Sequence, residues 1–184
     1  MKKISDRIFL GFVSGMLGAI PGRLLNKTEF KLGLTDSRYE EMAAMLFVNK
    51  RDITKPKGKN VGRIANSLLT SVVGVTTTYV LSKTGRDYAA LKGIGITSLA
   101  WLGIYGLSTQ AKVRKSKKPG AALLSYLDHL ILGATTATII SKLGDDTVFP
   151  RKQQEFNHVE NMAQSTIPFN YQIERENEEH FVLH

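Results

Sequence analysis

The chain has no cysteine. That excludes disulfides, thiolate metal sites and cysteine nucleophiles. Charge is missing too, and from particular places. Ile8–Gly22, Ile64–Ser82, Gly93–Thr109 and Ala121–Ser141 hold just one of the chain's 25 Lys/Arg and 16 Asp/Glu, namely Asp128. A soluble bundle carries charge along the outer face of each helix, and a small one has no room to bury four helices on all sides. Catalytic signatures are absent as well: no nucleophile elbow, no paired carboxylates. Gly85 and Gly58-Lys59 follow no strand, so they are not phosphate loops. Glu155, His158 and Glu160, and His180 with His184, lack metal-ligand spacing. The expectation is a non-enzyme with no metal and no cofactor.

What is present is four apolar stretches about as long as a bilayer is thick. A helix needs roughly 20 mostly apolar residues to cross ~30 Å of hydrocarbon. In lipid the backbone must satisfy its own hydrogen bonds, so such stretches form helices. The expected fold is all-α: four transmembrane helices in an antiparallel bundle, over about 8–25, 64–83, 90–110 and 121–143. A basic start before a short apolar run also describes a secretory signal, but Pro21-Gly-Arg-Leu-Leu offers no small-x-small cleavage site.

The connector 26–63 carries nine Lys/Arg and five acids. Within it the spacing predicts a short amphipathic helix over 37–49, with Ser37 and Glu40 as a capping box and Met42, Met45, Leu46 and Val48 on its apolar face. Lys50–Asn60, interrupted by Pro56 and Gly58, reads as a loop. Residues 1–144 form the membrane domain and 145–184 a polar acidic tail, partly disordered, with a short helix over Arg151–Ala163.

The net charge of +9 is uneven, since the residues from 142 onward hold four Lys/Arg against eight acids. Basic residues flank the spans, where they anchor helices and meet anionic lipid head groups. No basic helix interleaves aromatics, so nucleic acid is not expected as a partner. Both termini share one side with the turn at 83–92 and ten Lys/Arg; the other side has fifteen. The positive-inside rule then favours the termini outside, although Lys2 and Lys3 argue the reverse.

Gly11, Gly15, Gly18 and Gly22 form two G-x-x-x-G pairs in the first span, a spacing that lets helix backbones approach closely. They serve packing within the chain or against a second copy or another membrane protein. Thr70, Gly74 and Thr78 in the second span, and Gly95, Gly103 and Gly106 in the third, point the same way. One polar site stands out. Asp128-His129 lies about seven residues into the fourth span, roughly 10 Å at helical rise. Intramembrane ionisable residues face protein or water. Arg23 is expected to pair with Asp128, and Asn66 to bond His129. The cluster is either a clamp between helices, a proton- or cation-binding site, or shallow enough for Asp128 to reach Lys117 and Lys118.

A glycine-rich first span, a long connector with an amphipathic helix, and His129-Leu-Ile-Leu-Gly133 in the last span resemble uncharacterised small four-span inner-membrane proteins of bacteria. The likeness covers about residues 5–143. It implies a bacterial inner-membrane address and no particular activity. The expected role is a structural or interaction component; the alternative is an oligomeric transporter or channel subunit built around Asp128-His129.

Overall fold

The computed structural model describes residues 3–49, 51–110 and 116–150, and the side chains of all of these but 107–110. The helix expected over 151–163, the acidic run 174–179 and the tail histidines lie outside the described residues. Among the described residues the chain is all-helical. Its elements are α1 (Arg7–Lys31), α2 (Tyr39–Ala44), α3 (Pro56–Thr84), α4 (Ala89–Gln110) and α5 (Ala121–Leu143), followed by a 3-10 turn, Asp146–Val148.

α1 begins where the Asp6 carboxylate accepts the Phe9 amide at 2.6 Å, a side-chain N-cap. It runs straight through Pro21 to Lys31, well past the expected end near 25. A proline removes one helical hydrogen bond, but the helix goes on for ten more residues, to Lys31. Pro56 does not keep residues 50–60 in a loop either. It opens α3, where its missing N–H is one the first turn leaves unpaired anyway. Gly58 then lets α3 lie against the backbone of Asp52 and Ile53.

α2 is shorter than expected, six residues rather than 37–49. Its N-cap is Arg38, whose own side chain makes no capping bond. Ser37 turns away: its amide bonds Thr35 Oγ1 at 3.3 Å and its hydroxyl bonds Asp36 at 3.4 Å. Glu40 pairs with Arg63 of α3 at 3.6 Å instead of closing a capping box.

The contacts between helices are made by small residues. Gly11 faces Gly74 and Val75, and Gly15 faces Thr70 and Ser71, so α1 and α3 run in opposite directions. A Cβ added at Gly15 would sit 2.9 Å from Ser71 Cα, closer than any side chain tolerates. The second glycine pair turns to another helix. Gly18 meets Thr136, and Gly22 lies 3.4 Å (from its would-be Cβ) off the Asp128 carbonyl, so α1 and α5 are also opposed. The four first-span glycines are thus occupied within the chain. Hydroxyls reinforce both seams: Ser71 donates to the Phe12 carbonyl at 3.2 Å and Thr135 to the Gly18 carbonyl at 2.8 Å. On α4 the packing glycine is Gly93, against Gly133 and Ala137 of α5; Gly95, Gly103 and Gly106 face open space, contrary to expectation.

Hydroxyls share the interior with apolar side chains, and large apolar side chains cover much of the surface. Ser14, Thr77, Thr78, Thr97 and Thr136 are fully buried, while Phe9, Leu24, Ile64, Val72 and Leu99 are more than half exposed. α1, α3 and α5 are each long and apolar enough to cross a membrane. α4 has 22 residues with Lys92 as its one charge. A small apolar cluster closes the end where α1 begins and α5 ends: Leu10, Leu81, Ala137 and Ile140 with Val148 and Phe149. The first compact unit therefore extends to Phe149, and the opening of the expected polar tail belongs to it.

Candidate functional site

Asp128 sits in the second turn of α5, with α1 passing at Gly22, whose would-be Cβ lies 3.4 Å from the Asp128 carbonyl. It is 3% exposed. Its partner is neither Arg23 nor a basic loop residue but Tyr39, the first residue of α2, whose hydroxyl donates to Oδ2 at 2.7 Å. Burial, together with the Asp128 carboxylate beside it, pushes the Tyr39 phenol well above its ordinary range, so it remains a proton donor.

Tyr39 is itself fixed from α1. Asn26, buried in the last third of that helix, accepts the Tyr39 amide at 3.2 Å through its side-chain oxygen and donates to the Ser37 carbonyl at 3.5 Å. One buried amide thus supplies both an acceptor for an orphan N–H at the start of α2 and a donor for the carbonyl before it. The Tyr39 ring meets His129 edge-on, centroids 5.9 Å apart. The His129 ring pairs through Nδ1 with the Ser125 carbonyl at 2.7 Å, one helical turn back.

From Ser125 the contacts pass to α4. Trp101 donates from Nε1 to Ser125 Oγ at 3.3 Å, stacks on Tyr105 at 4.8 Å and meets Tyr126 edge-on at 5.2 Å. Tyr126 shares a hydrogen bond with Ser98 at 3.2 Å. Three residues of α5, Ser125, Asp128 and His129, therefore link α1, α2 and α4.

The expected pairings rearrange. Arg23 and Asn66 are near the cluster in sequence depth, yet Arg23 reaches Ser67 of α3, Nη2 to Oγ 3.0 Å. Among the described residues Asn66 forms no hydrogen bond with His129. The stripe of Ser125, His129, Gly133 and Thr136 also divides: Gly133 serves α4 and Thr136 serves α1. Sequence reasoning missed Tyr39, Asn26 and Trp101. One signal for Tyr39 was available: it stands three residues before Met42, on the expected apolar face of that helix.

Chemically, the cluster is a set of satisfied donors and acceptors. Removing any one member strands another away from water. No group of His, Asp and Glu among the described residues is arranged to hold a metal ion. Neither a family model, nor a curated protein, nor a solved structure matches this chain. The site's chemistry therefore has to speak for itself.

Proposed function

We propose that α1, α3, α4 and α5 all cross a bilayer as an antiparallel four-span bundle with α2 lying at its edge. We further propose that the protein is a non-enzymatic structural or interaction component of a bacterial inner membrane. The distribution of polarity supports this reading most strongly. Serine, threonine and glycine form many of the helix contacts, and many large aliphatic and aromatic side chains are exposed. Water would penalise that arrangement, whereas lipid favours close packing through small residues and hydroxyl bonds to carbonyls.

The absence of cysteine makes topology measurable. Single variants K57C and S116C are expected to react with an impermeant maleimide from one side of the membrane, and D87C and T147C from the other. If α4 does not cross, S116C will react with D87C. The positive-inside count favours the side bearing residues 57 and 116 in the cytoplasm, with both termini outside.

Within this reading the Tyr39–Asp128–His129 cluster is a clamp between helices. The alternative, an oligomeric transporter or channel subunit that binds protons or cations there, needs a carboxylate free to take its ligand. The 2.7 Å bond from Tyr39 favours the clamp. In liposomes, D128N and H129A should lower thermal stability and leave ion and proton flux at background. Flux in the parent chain that these changes abolish would establish the alternative.

A further inference from the structure

Arg23 and Ser67 touch at 3.0 Å, where α1 and α3 approach their connector end. From that contact outward, each helix carries a base at every fourth position. On α1 they are Arg23, Lys27 and Lys31; on the α3 side, Arg63, Lys59 and Lys55 precede Ser67. Residues four apart share a helix face. The two helices run in opposite directions and meet at Arg23–Ser67, so the two rows border the same groove.

Counter-charge is present but outnumbered there. Glu40 pairs with Arg63 at 3.6 Å and also acts on Arg23, and Asp52 pairs with Lys55 at 2.6 Å, two carboxylates against six bases. Among the described residues, Lys27, Lys31 and Lys59 form no ion pair. Arg23 Nε is buried with no hydrogen-bond partner. Like charges at this spacing repel along a helix, so the rows cost stability unless an anion lies between them. Beside the innermost bases the surface turns apolar at once. Leu24, next to Arg23, is 60% exposed, and Ile64, next to Arg63, is 62% exposed. A small hydrophilic anion has no use for those flanks; an amphiphile does.

We propose that this groove binds an anionic phospholipid, its phosphate between Arg23, Arg63 and Lys27 and its acyl chains along Leu24 and Ile64. The assignment rests on the spanning reading above. Juxtamembrane bases attract anionic lipid generally. Here an arginine held by a serine hydroxyl at the inner end of the two rows adds charge-assisted donors at one defined position.

The test is thermal unfolding of the full chain in a neutral detergent, with phosphatidylglycerol, phosphatidylcholine or inorganic phosphate added. Phosphatidylglycerol should raise the midpoint by about 5 °C at saturation, and the other two should not. The pair R23Q/R63Q should lose that rise. K27Q/K59Q, at exposed positions that cannot disturb packing, should lose about half of it. K83Q/K142Q, a charge-matched change at the other end, should keep it. An equal rise with phosphatidylcholine or with inorganic phosphate, or an undiminished rise in both K27Q/K59Q and R23Q/R63Q, overturns the groove while the spanning reading stands. A chain that stays monodisperse without detergent overturns both.

Discussion

Where α1 starts and α5 ends, the chain is tied by groups that face water; where α2 meets α5, the ties are hidden from it. At the first end, Ile4 and the α5 terminus exchange backbone bonds, Ile4 N to Leu143 O and Asp145 N to Ile4 O, both 2.9 Å. Asp146 gathers Arg86 at 2.6 Å and Lys3 at 3.2 Å, yet its side chain is 78% exposed. Beneath these charges Phe149 fills the gap next to Gly144, and the Arg86 guanidinium covers its ring at 4.1 Å. At the second end the bonds are buried or partly buried. Exposed ion pairs are screened and add little. The conspicuous charges at the first end should therefore matter less than the ring below them, and the single Tyr39–Asp128 bond at the other end more than its number suggests.

Phe149→Ala tests that ranking at its extreme. Truncating a buried aromatic costs about 3–5 kcal/mol. In a chain of this length that lowers the thermal midpoint by roughly 6–15 °C, measurable by circular dichroism in detergent. A fall of under about 2 °C would mean that the polar ties, not the ring, close this end. Tyr39→Phe should come next, at about 1–3 kcal/mol, because it leaves the Asp128 carboxylate buried without its donor. Combining it with Asp128→Asn should recover part of the loss, since the remaining group is then uncharged. Full additivity of the two changes would show that the pair is not coupled.

Three of the four expected spans were legible as helices long and apolar enough to cross a membrane, because a long charge-free run needs no knowledge of neighbours; the fourth, α4, was legible as a helix. Helix ends were less legible. Pro21 and Pro56 look alike as helix breakers, yet one is absorbed within α1 and the other begins α3. Which glycines pack was legible for Gly11 to Gly22, where the repeat is long, but not for Gly93, a lone residue whose role depends on Gly133 in another helix. The lone acid of α5 announced itself; its donor did not, being 89 residues away on a helix of six. Charge complementarity pointed to Arg23, but a neutral phenol satisfied the carboxylate instead. Val148 and Phe149 were hidden by the acidic residues around them, which set the composition of the segment without describing its two buried side chains.

Acidity provides the finest test of the comparison. Hydrogen bonds from Lys3 and Arg86 hold the Asp146 carboxyl below its ordinary value of 3.8. Asp145 is held low as well, by the amide and hydroxyl of Thr147. A group whose folded value is depressed binds its proton more tightly when the chain unfolds. Its contribution is therefore complete above about pH 4 and drains away as the pH falls through the folded value. Asp146→Asn should lower the midpoint by a small, constant amount between pH 6 and 8, where the contribution is complete, and flatten the acid limb of a midpoint-against-pH curve below about pH 4. Raising the salt concentration should shrink the difference, because these charges face water. An acid limb that Asp146→Asn leaves untouched, while Tyr39→Phe alters it, would move the acid sensitivity of the molecule to its sheltered end.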